Sequence, residues 1–338
     1  DQFDRAIALT ERLLKTRPGD AWLRRQLLVD LALAGRHEQA EQRLLTWLAA
    51  EPESFQLNGQ LITSLLLADR YEEAIELARN GLADPRRQLD YRWLLVRAYE
   101  YGRRYDLAIA QVRRLQQELS NPRLDRELVR LLIWAGRFDQ ARQRIEQIIK
   151  ASPGRRREMR RLLVLLYRRA GRADLAEQEL QDLYDSDPYD PSVNNDLGYS
   201  WADQGRKLDQ AEQMLRFAVG QRPQEPAYLD SLGWLLYKKG QFAPARRYLV
   251  RAVRAVGGDD PVIYDHLGDA YWRLGEAELA GQSWRKAVRL ARRQLRLHEE
   301  LGEPDVLERA ARKLQQLEQE RRPDVAAVAV QLGATGGR

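Results

Sequence analysis

The feature that most constrains this chain is a self-similar pattern that returns about every 35 residues. It is clearest in three Leu-Gly pairs, at 197–198, 232–233 and 267–268. Each pair is followed by a second glycine and then by an alanine at the same helical spacing. A repeat of this length is typical of an array in which every unit packs only against its neighbours.

Weaker copies of the same pattern continue towards the start of the chain, which gives eight full repeats. Their core leucines are Leu27, Leu61, Leu95, Leu128, Leu163, Leu197, Leu232 and Leu267. Apolar residues follow the helical period on both sides of a turn, so each repeat is predicted to be two antiparallel helices. The turn position holds glycine in most repeats, with Gly102 assigned to the third and Asp69 replacing glycine in the second.

This pattern resembles the tetratricopeptide repeat (TPR) family over residues 1–293. The resemblance implies an all-α, right-handed superhelical solenoid of helix-turn-helix repeats that serves as a protein-binding scaffold. Residues 1–18 match only the second helix of a repeat, and residues 20–293 hold the eight repeats. The half repeat suggests a fragment of a longer protein. An amphipathic helix in 294–322 is predicted to cap the solenoid, and 323–338 is predicted to be a flexible tail.

Composition argues against catalysis and against a cofactor. The chain has no cysteine, which excludes thiolate metal sites and thiol nucleophiles. Its three histidines are predicted to be structural: His37 in an interhelical turn, His298 on the surface and His266 on a helix face. No phosphate-binding loop or nucleophile motif occurs, and no apolar stretch reaches the roughly 20 residues of a membrane-spanning helix. We therefore expect no enzyme activity, metal or cofactor.

In TPR proteins the first helix of each repeat lines the concave groove, which implies the partner-binding residues. The groove is predicted to be basic in the middle repeats and acidic and aromatic in the last three, because residues 86–172 hold 23 basic against 9 acidic side chains. The basic candidates are Arg97, Arg126, Arg130 and Arg161. The acidic and aromatic candidates are Asn195, Tyr199, Asp203, Asp230, Trp234, Tyr237, Asp265, Asp269 and Trp272. We expect Tyr199, Trp234 and Trp272 to anchor the partner.

The last three repeats also resemble TPR adaptor proteins of the bacterial envelope, through the Asn195–Tyr199 and Tyr228–Trp234 runs. This resemblance favours a bacterial periplasm or envelope location over the cytoplasm. The carboxylate-clamp pattern of chaperone-binding TPR domains is not met, so the expected ligand is a long protein or peptide segment of mixed charge.

Two alternatives stay open. The basic block at 86–172 could bind nucleic acid or an anionic surface, although nucleic acid is the less favoured partner. The chain could also be a non-catalytic segment of a larger enzyme or secretion machine.

Overall fold

The computed structural model describes residues 2–297 and 304–329, and over these ranges the chain forms eighteen α-helices and no β-strand. The prediction of an all-α array of helical hairpins is confirmed. The chain divides into two compact units, Asp1–Ala135 and Gly136–Arg338, which are called unit 1 and unit 2. The fourth predicted repeat has one helix in each unit, so its helices are described with the unit to which they belong.

Unit 1 begins with the helix that the sequence assigned to a half repeat, and three complete hairpins follow. Its helices are α1 Gln2–Thr16, α2 Ala21–Leu33, α3 His37–Ala50, α4 Phe55–Leu67, α5 Tyr71–Asn80, α6 Gln88–Tyr101, α7 Tyr105–Glu118 and α8 Pro122–Trp134. Buried leucine, isoleucine, valine and alanine side chains of successive helices form its core. Each hairpin therefore buries its apolar stripe against the next, as a stacked array requires.

Unit 2 holds the hairpins that form the candidate site. Its helices are α9 Phe138–Ala151, α10 Arg156–Arg169, α11 Ala173–Ser186, α12 Pro191–Asp203, α13 Leu208–Gln221, α14 Pro226–Lys238, α15 Phe242–Arg254, α16 Pro261–Arg273, α17 Ala277–Leu297 and α18 Pro304–Glu318. The pairs α12–α13, α14–α15 and α16–α17 are the last three hairpins. Helix α18 packs against both α16 and α17, where the first helix of a further repeat would lie.

The turn inside each hairpin needs one residue with left-handed backbone geometry. Glycine supplies it in most hairpins, with φ of 67° at Gly205 and 78° at Gly275. Asp69 adopts the same geometry at φ 59°, in the repeat where the sequence lacks a turn glycine. The assignment of Gly102 as the third turn residue was wrong by one position: its φ is −79°, and Arg103 takes the left-handed position at φ 56°. Glycine is favoured there but is not obligatory.

The Leu-Gly pairs of the last three hairpins have a packing role. A Cβ atom added at Gly233 would lie 2.7 Å from Leu249 Cγ, and one added at Gly268 would lie 2.4 Å from Trp284 Nε1. The second helix of each hairpin therefore approaches the first at the glycine. Proline occupies the first turn of α12, α14 and α16, where its missing N–H costs no hydrogen bond. These two features fix how the three first helices present their side chains.

Candidate functional site: the first-helix face of unit 2

The first-helix face is the surface formed by α12, α14 and α16, and one end of it is covered by the C-terminal part of the chain. Helix α18 places Lys313, whose side chain is 5% exposed, between two buried carboxylates of α16. Its Nζ lies 2.9 Å from Asp265 Oδ1 and 2.6 Å from Asp269 Oδ1. The Lys313 ammonium thus forms ion pairs with both carboxylates, and these ion pairs fix α18 to α16.

After α18 the chain has no regular secondary structure over residues 321–329, the C-terminal segment, which crosses the first-helix face. Its central contact is Ala326, whose N–H donates to Asp269 Oδ2 at 3.1 Å. The carbonyl oxygen of Ala326 accepts hydrogen bonds from the Tyr237 hydroxyl at 2.6 Å and from Arg273 Nη2 at 2.9 Å. Further along, the N–H of Ala329 donates to the carbonyl oxygen of Lys238 at 2.8 Å. The face therefore binds this segment chiefly through its main chain.

The Tyr237 hydroxyl is held in the protonated state that this contact needs. Burial raises the pKa of Tyr237 to about 12, with the nearby Asp269 carboxylate acting in the same direction. Because the hydroxyl has one proton and donates it to Ala326, it accepts the hydrogen bond from Arg273 Nε at 3.1 Å. The two side chains therefore act together on one carbonyl group of the C-terminal segment.

A stack of three rings lies under the C-terminal segment. The Tyr237 and Trp234 ring centroids are 5.0 Å apart, and those of Trp234 and His266 are 3.8 Å apart, with nearly parallel planes. His266 Nδ1 lies 2.9 Å from Asp230 Oδ1. Burial alone would lower the pKa of His266, but the charge and hydrogen bond of Asp230 outweigh it, so the pKa is raised. The histidine thereby links α16 to α14 through a buried ion pair.

Asp269 is the most heavily bonded carboxylate of the face. Besides Lys313 and Ala326 it accepts a hydrogen bond from Trp284 Nε1 at 3.2 Å. Burial nevertheless raises the pKa of Asp269, although the Lys313 ammonium opposes this. The direction shows that desolvation outweighs the ion pair, so the cluster depends on each of its donors.

The other end of the first-helix face is open and forms a cavity of about 660 Å³. Its wall comes from the exposed side of α12, from the first turns of α14 and α16, and from the loop that holds Val256. Five carboxylates line it, against one guanidinium from Arg168. They are those of Asp196, Asp203, Glu225, Asp230 and Asp260. The open part of the face is therefore strongly acidic.

Two of the cavity carboxylates are poorly compensated. Burial raises the pKa of Asp196, against the lowering influence of the Arg168 charge. Burial also raises the pKa of Asp260, which caps α16 through a hydrogen bond from the N–H of Val262 at 2.8 Å. A cation brought near either carboxylate would lower its pKa again and stabilise the charged form.

The structure separates the predicted acidic and aromatic residues into two groups. Asn195, Tyr199, Asp203 and Asp230 line the cavity. Asp265, Asp269, Trp234 and Tyr237 are instead buried under the C-terminal part of the chain or inside the ring stack. Trp272 is half-buried and packs against Trp284.

The expected exposure of Trp234 was therefore wrong. Its side chain is 5% exposed, and its indole Nε1 donates to Asp203 Oδ1 at 3.0 Å. It supports the face from below and offers no ring surface to a partner. Of the three expected anchors, only Tyr199 lines the open cavity.

The basic candidates differ in how far their charge is available. In unit 1, Arg97 and Arg126 are exposed, but Arg130 is half-buried between the carboxylates of Glu100 and Glu127. In unit 2, Arg161 is exposed and pairs with Asp190. Several other arginines of the basic block also form ion pairs. The formal excess of positive charge in the sequence overstates the charge that these side chains can offer to an anionic ligand.

The C-terminal contacts could not be read from the repeat pattern. Residues 323–338 were expected to be a flexible tail. Up to residue 329 the chain instead lies hydrogen-bonded on the first-helix face. Residues 330–338 lie outside the described residues. Lys313 and Ala326 carry no motif that distinguishes them from neighbouring residues. His298 lies outside the described residues, and so does the side chain of His37.

Comparison with known families agrees with this architecture. A family model described as tetratricopeptide repeat matches residues 126–191, 195–260 and 231–296, together about half of the chain. The chain is a tetratricopeptide repeat protein. TPR arrays are in general non-catalytic scaffolds for protein–protein interaction, which is the coarse function of the family. No curated protein matched this TPR chain.

Three solved structures are similar to parts of this chain at low identity. A TPR protein from Thermus thermophilus is 21% identical, with 52% of this chain and 95% of that chain covered and a TM-score of 0.41. PilW, a type IV pilus biogenesis factor, is 16% identical, with 60% and 95% covered and a TM-score of 0.44. PilF of Pseudomonas aeruginosa is 18% identical, with 57% and 90% covered and a TM-score of 0.41.

Two features are absent from the described residues. No helix in the described part of this TPR protein is long and apolar enough to cross a membrane. Among the same residues, no three His, Cys, Asp or Glu side chains are grouped so as to hold a metal ion.

Proposed function

We propose that this TPR protein is a scaffold that binds an extended segment of a partner polypeptide on the first-helix face of unit 2. The observation that carries the proposal is that the C-terminal segment, which forms no helix, already lies on this face. Its main chain is bonded at Ala326 by Asp269, Tyr237 and Arg273. The face thus holds one non-helical chain, and we place the partner's chain on the adjoining open part of the same face.

The open cavity is the place that remains for the partner. It is lined by the first turns of α14 and α16 and by the side of α12. The C-terminal segment bonds to the last turns of α14 and α16 and reaches Gly205, in the turn after α12, with Ala329. We therefore place the partner beside the described part of the C-terminal segment. The cavity volume of about 660 Å³ is within the range of roughly 300–1,000 Å³ that is usual for binding pockets.

The proposal is tested by selection of linear dodecapeptides from a displayed random library on the whole protein. Ala227 lines the cavity and is exposed, so Ala227→Trp fills the cavity without disturbing the core. Ala243→Trp on α15 is the matched control, because Ala243 is exposed on a second helix. The selected peptides should bind the wild type and the Ala243→Trp variant, and should lose at least about tenfold in affinity on Ala227→Trp. Failure to select any peptide, or equal binding to both variants, contradicts the proposal.

We also propose that this scaffold works in a bacterial envelope assembly. The support is the motif resemblance of the last three repeats, at Asn195–Tyr199 and Tyr228–Trp234, to envelope TPR adaptors. Fractionation of the native bacterium should recover the protein with the envelope, in membrane or periplasmic fractions. Recovery in the cytoplasmic fraction would refute this part of the proposal and leave the binding face unaffected.

A further inference from the structure

The charge of the open cavity specifies a chemical class of ligand. Five carboxylates line the wall against the Arg168 guanidinium, and one of the five, Asp230, is paired with His266, so the formal charge is about −3 when all these groups are ionised. Carboxylates crowded in a partly buried site repel one another unless a cation is supplied. Burial raises the pKa of two of them, Asp196 and Asp260. Arg168 is the only basic side chain among the described residues that line the cavity.

The internal bonds of these carboxylates leave acceptor capacity. Asp203 accepts one hydrogen bond from Trp234 on Oδ1, and Asp260 is engaged with the first turn of α16. Glu225 precedes α14 without capping it, and forms no ion pair within the described ranges. Ionised carboxylates have about four acceptor positions each, so most of the acceptor capacity in the cavity is unused.

A buried amide in the wall points to the same ligand chemistry. Asn195 is 7% exposed and lines the cavity, and its side-chain oxygen Oδ1 accepts no hydrogen bond from the described residues. Its Nδ2 donates to Asp196 Oδ1 at 3.3 Å, so the amide group is oriented with its oxygen as the unused atom. A buried acceptor without a donor costs about 1–3 kcal/mol. A ligand that donates a hydrogen bond would recover that cost once the Asn195 side chain turns its oxygen, buried in this structure, towards the cavity.

We propose that the cavity is a binding pocket for a basic side chain, a lysine ammonium or an arginine guanidinium, on the extended segment of the partner protein. Such a group carries the positive charge that the carboxylates lack and only donates hydrogen bonds, as the unused Asn195 oxygen requires. The inference rests on the proposed function, since it specifies which side chain the bound segment must carry. It also sets the partner apart from an acidic peptide, which this wall would repel.

The test uses the selected dodecapeptides and one matched pair of variants. Asp196→Asn with Asp260→Asn removes two cavity charges and keeps the α16 cap, because asparagine is as good an N-cap as aspartate. Asp185→Asn with Glu278→Gln removes the same charge from exposed positions elsewhere in unit 2. In the tightest peptide each lysine is replaced in turn by norleucine, and each arginine by citrulline.

We expect the selected peptides to share one basic position. Neutral replacement at that position should weaken binding at least about tenfold, both to the wild type and to the Asp185→Asn, Glu278→Gln control. On the Asp196→Asn, Asp260→Asn protein the same replacement should cost only about threefold, because two of the five cavity carboxylates are then neutral. Two results would overturn the inference and leave the proposed function standing. One is that peptides bind in the cavity without a shared basic position. The other is that neutral replacement lowers the affinity equally for all three proteins. Absence of any cavity-binding peptide overturns both.

Glu225→Gln is a second variant, which tests the inference even if the Asp196→Asn, Asp260→Asn protein fails to fold. Its side chain makes no hydrogen bond or ion pair within the described residues, so the change removes charge alone. It should weaken binding of the basic peptide by a few-fold and leave the norleucine or citrulline peptide unchanged. Equal effects on both peptides would overturn the inference.

Discussion

Replacement of Lys313 by methionine tests how the C-terminal part of the chain is held on the first-helix face. The variant keeps the length and apolar stem of the side chain but removes the ammonium that lies between Asp265 and Asp269. Both carboxylates have side chains no more than 2% exposed. Loss of the buried cation between them leaves two negative charges without sufficient compensation.

The expected cost follows from what remains around the two carboxylates. Removal of one partner from a buried ion pair costs about 3–5 kcal/mol. Asp269 keeps two neutral donors, Trp284 Nε1 and the N–H of Ala326, and Asp265 keeps the more distant, partly exposed Arg309 at 3.5 Å. We therefore expect a loss near the lower end, about 3 kcal/mol, from the free energy that fixes α18 to α16.

Hydrogen exchange of the amides in α18 and in the C-terminal segment measures this loss directly. A loss of about 3 kcal/mol should speed their exchange by more than a hundredfold at pH 7, while amides of α12 and α13 change little. The effect should shrink as pH falls, because protonation neutralises the uncompensated carboxylates. Unchanged exchange in α18, or an effect that grows at low pH, would refute the account of the buried cluster.

Three further outcomes follow from the same face. The pKa of His266 is raised in the folded protein, so its ion pair with Asp230 stabilises the fold below about pH 6.5. This contribution is lost as pH rises through the folded pKa. Urea unfolding at a series of pH values should show the decline, and Asp230→Asn should abolish it. Gly233→Ala should lower the free energy of unfolding by about 1–3 kcal/mol, because its Cβ would meet a leucine of the second helix. Gly220→Ala, with nothing within 4 Å, should raise it by up to about 1 kcal/mol in thermal melts. Tyr237→Phe should weaken protection of the C-terminal segment by about 1 kcal/mol in hydrogen exchange; equal protection in both proteins would show that this hydroxyl does not hold it.

The hairpins were predictable because their signals are local and repeated. Core leucines, turn glycines and prolines recur at fixed spacing, so an error in one repeat is corrected by the others. The turn of the third hairpin shows this. Gly102 lies seven positions after Leu95, whereas the left-handed residue lies eight positions after the core leucine in the other hairpins, as with Gly136 after Leu128. Arg103 lies at that eighth position and takes the left-handed geometry, so the spacing specified the turn residue and the residue type misled.

The site was predictable in part, for a different physical reason. Helical spacing predicted which side of α12, α14 and α16 faces away from the core of its own hairpin. Asn195, Tyr199 and Asp203 of that side line the cavity, and their role in partner binding stays a prediction. It could not show that part of that side is covered again by residues far along the chain. Lys313 and Ala326 lie 44 and 57 positions after Asp269, and they pair with it through geometry alone. The buried state of Trp234 has a different cause, its contacts with the neighbouring repeats: the ring stacks on His266 of α16, and Nε1 donates to Asp203 of α12.

The central claim is that a partner polypeptide binds in the open cavity of the first-helix face. A photoreactive benzoylphenylalanine at Val256, a loop residue that is 99% exposed and lines the cavity, tests it directly. The same group at the exposed Arg247 on α15 serves as the control. Irradiation with the selected dodecapeptides should give mass-spectrometric cross-links from position 256 and none above background from position 247. Cross-links from position 247 alone, or equally from both, would contradict the claim.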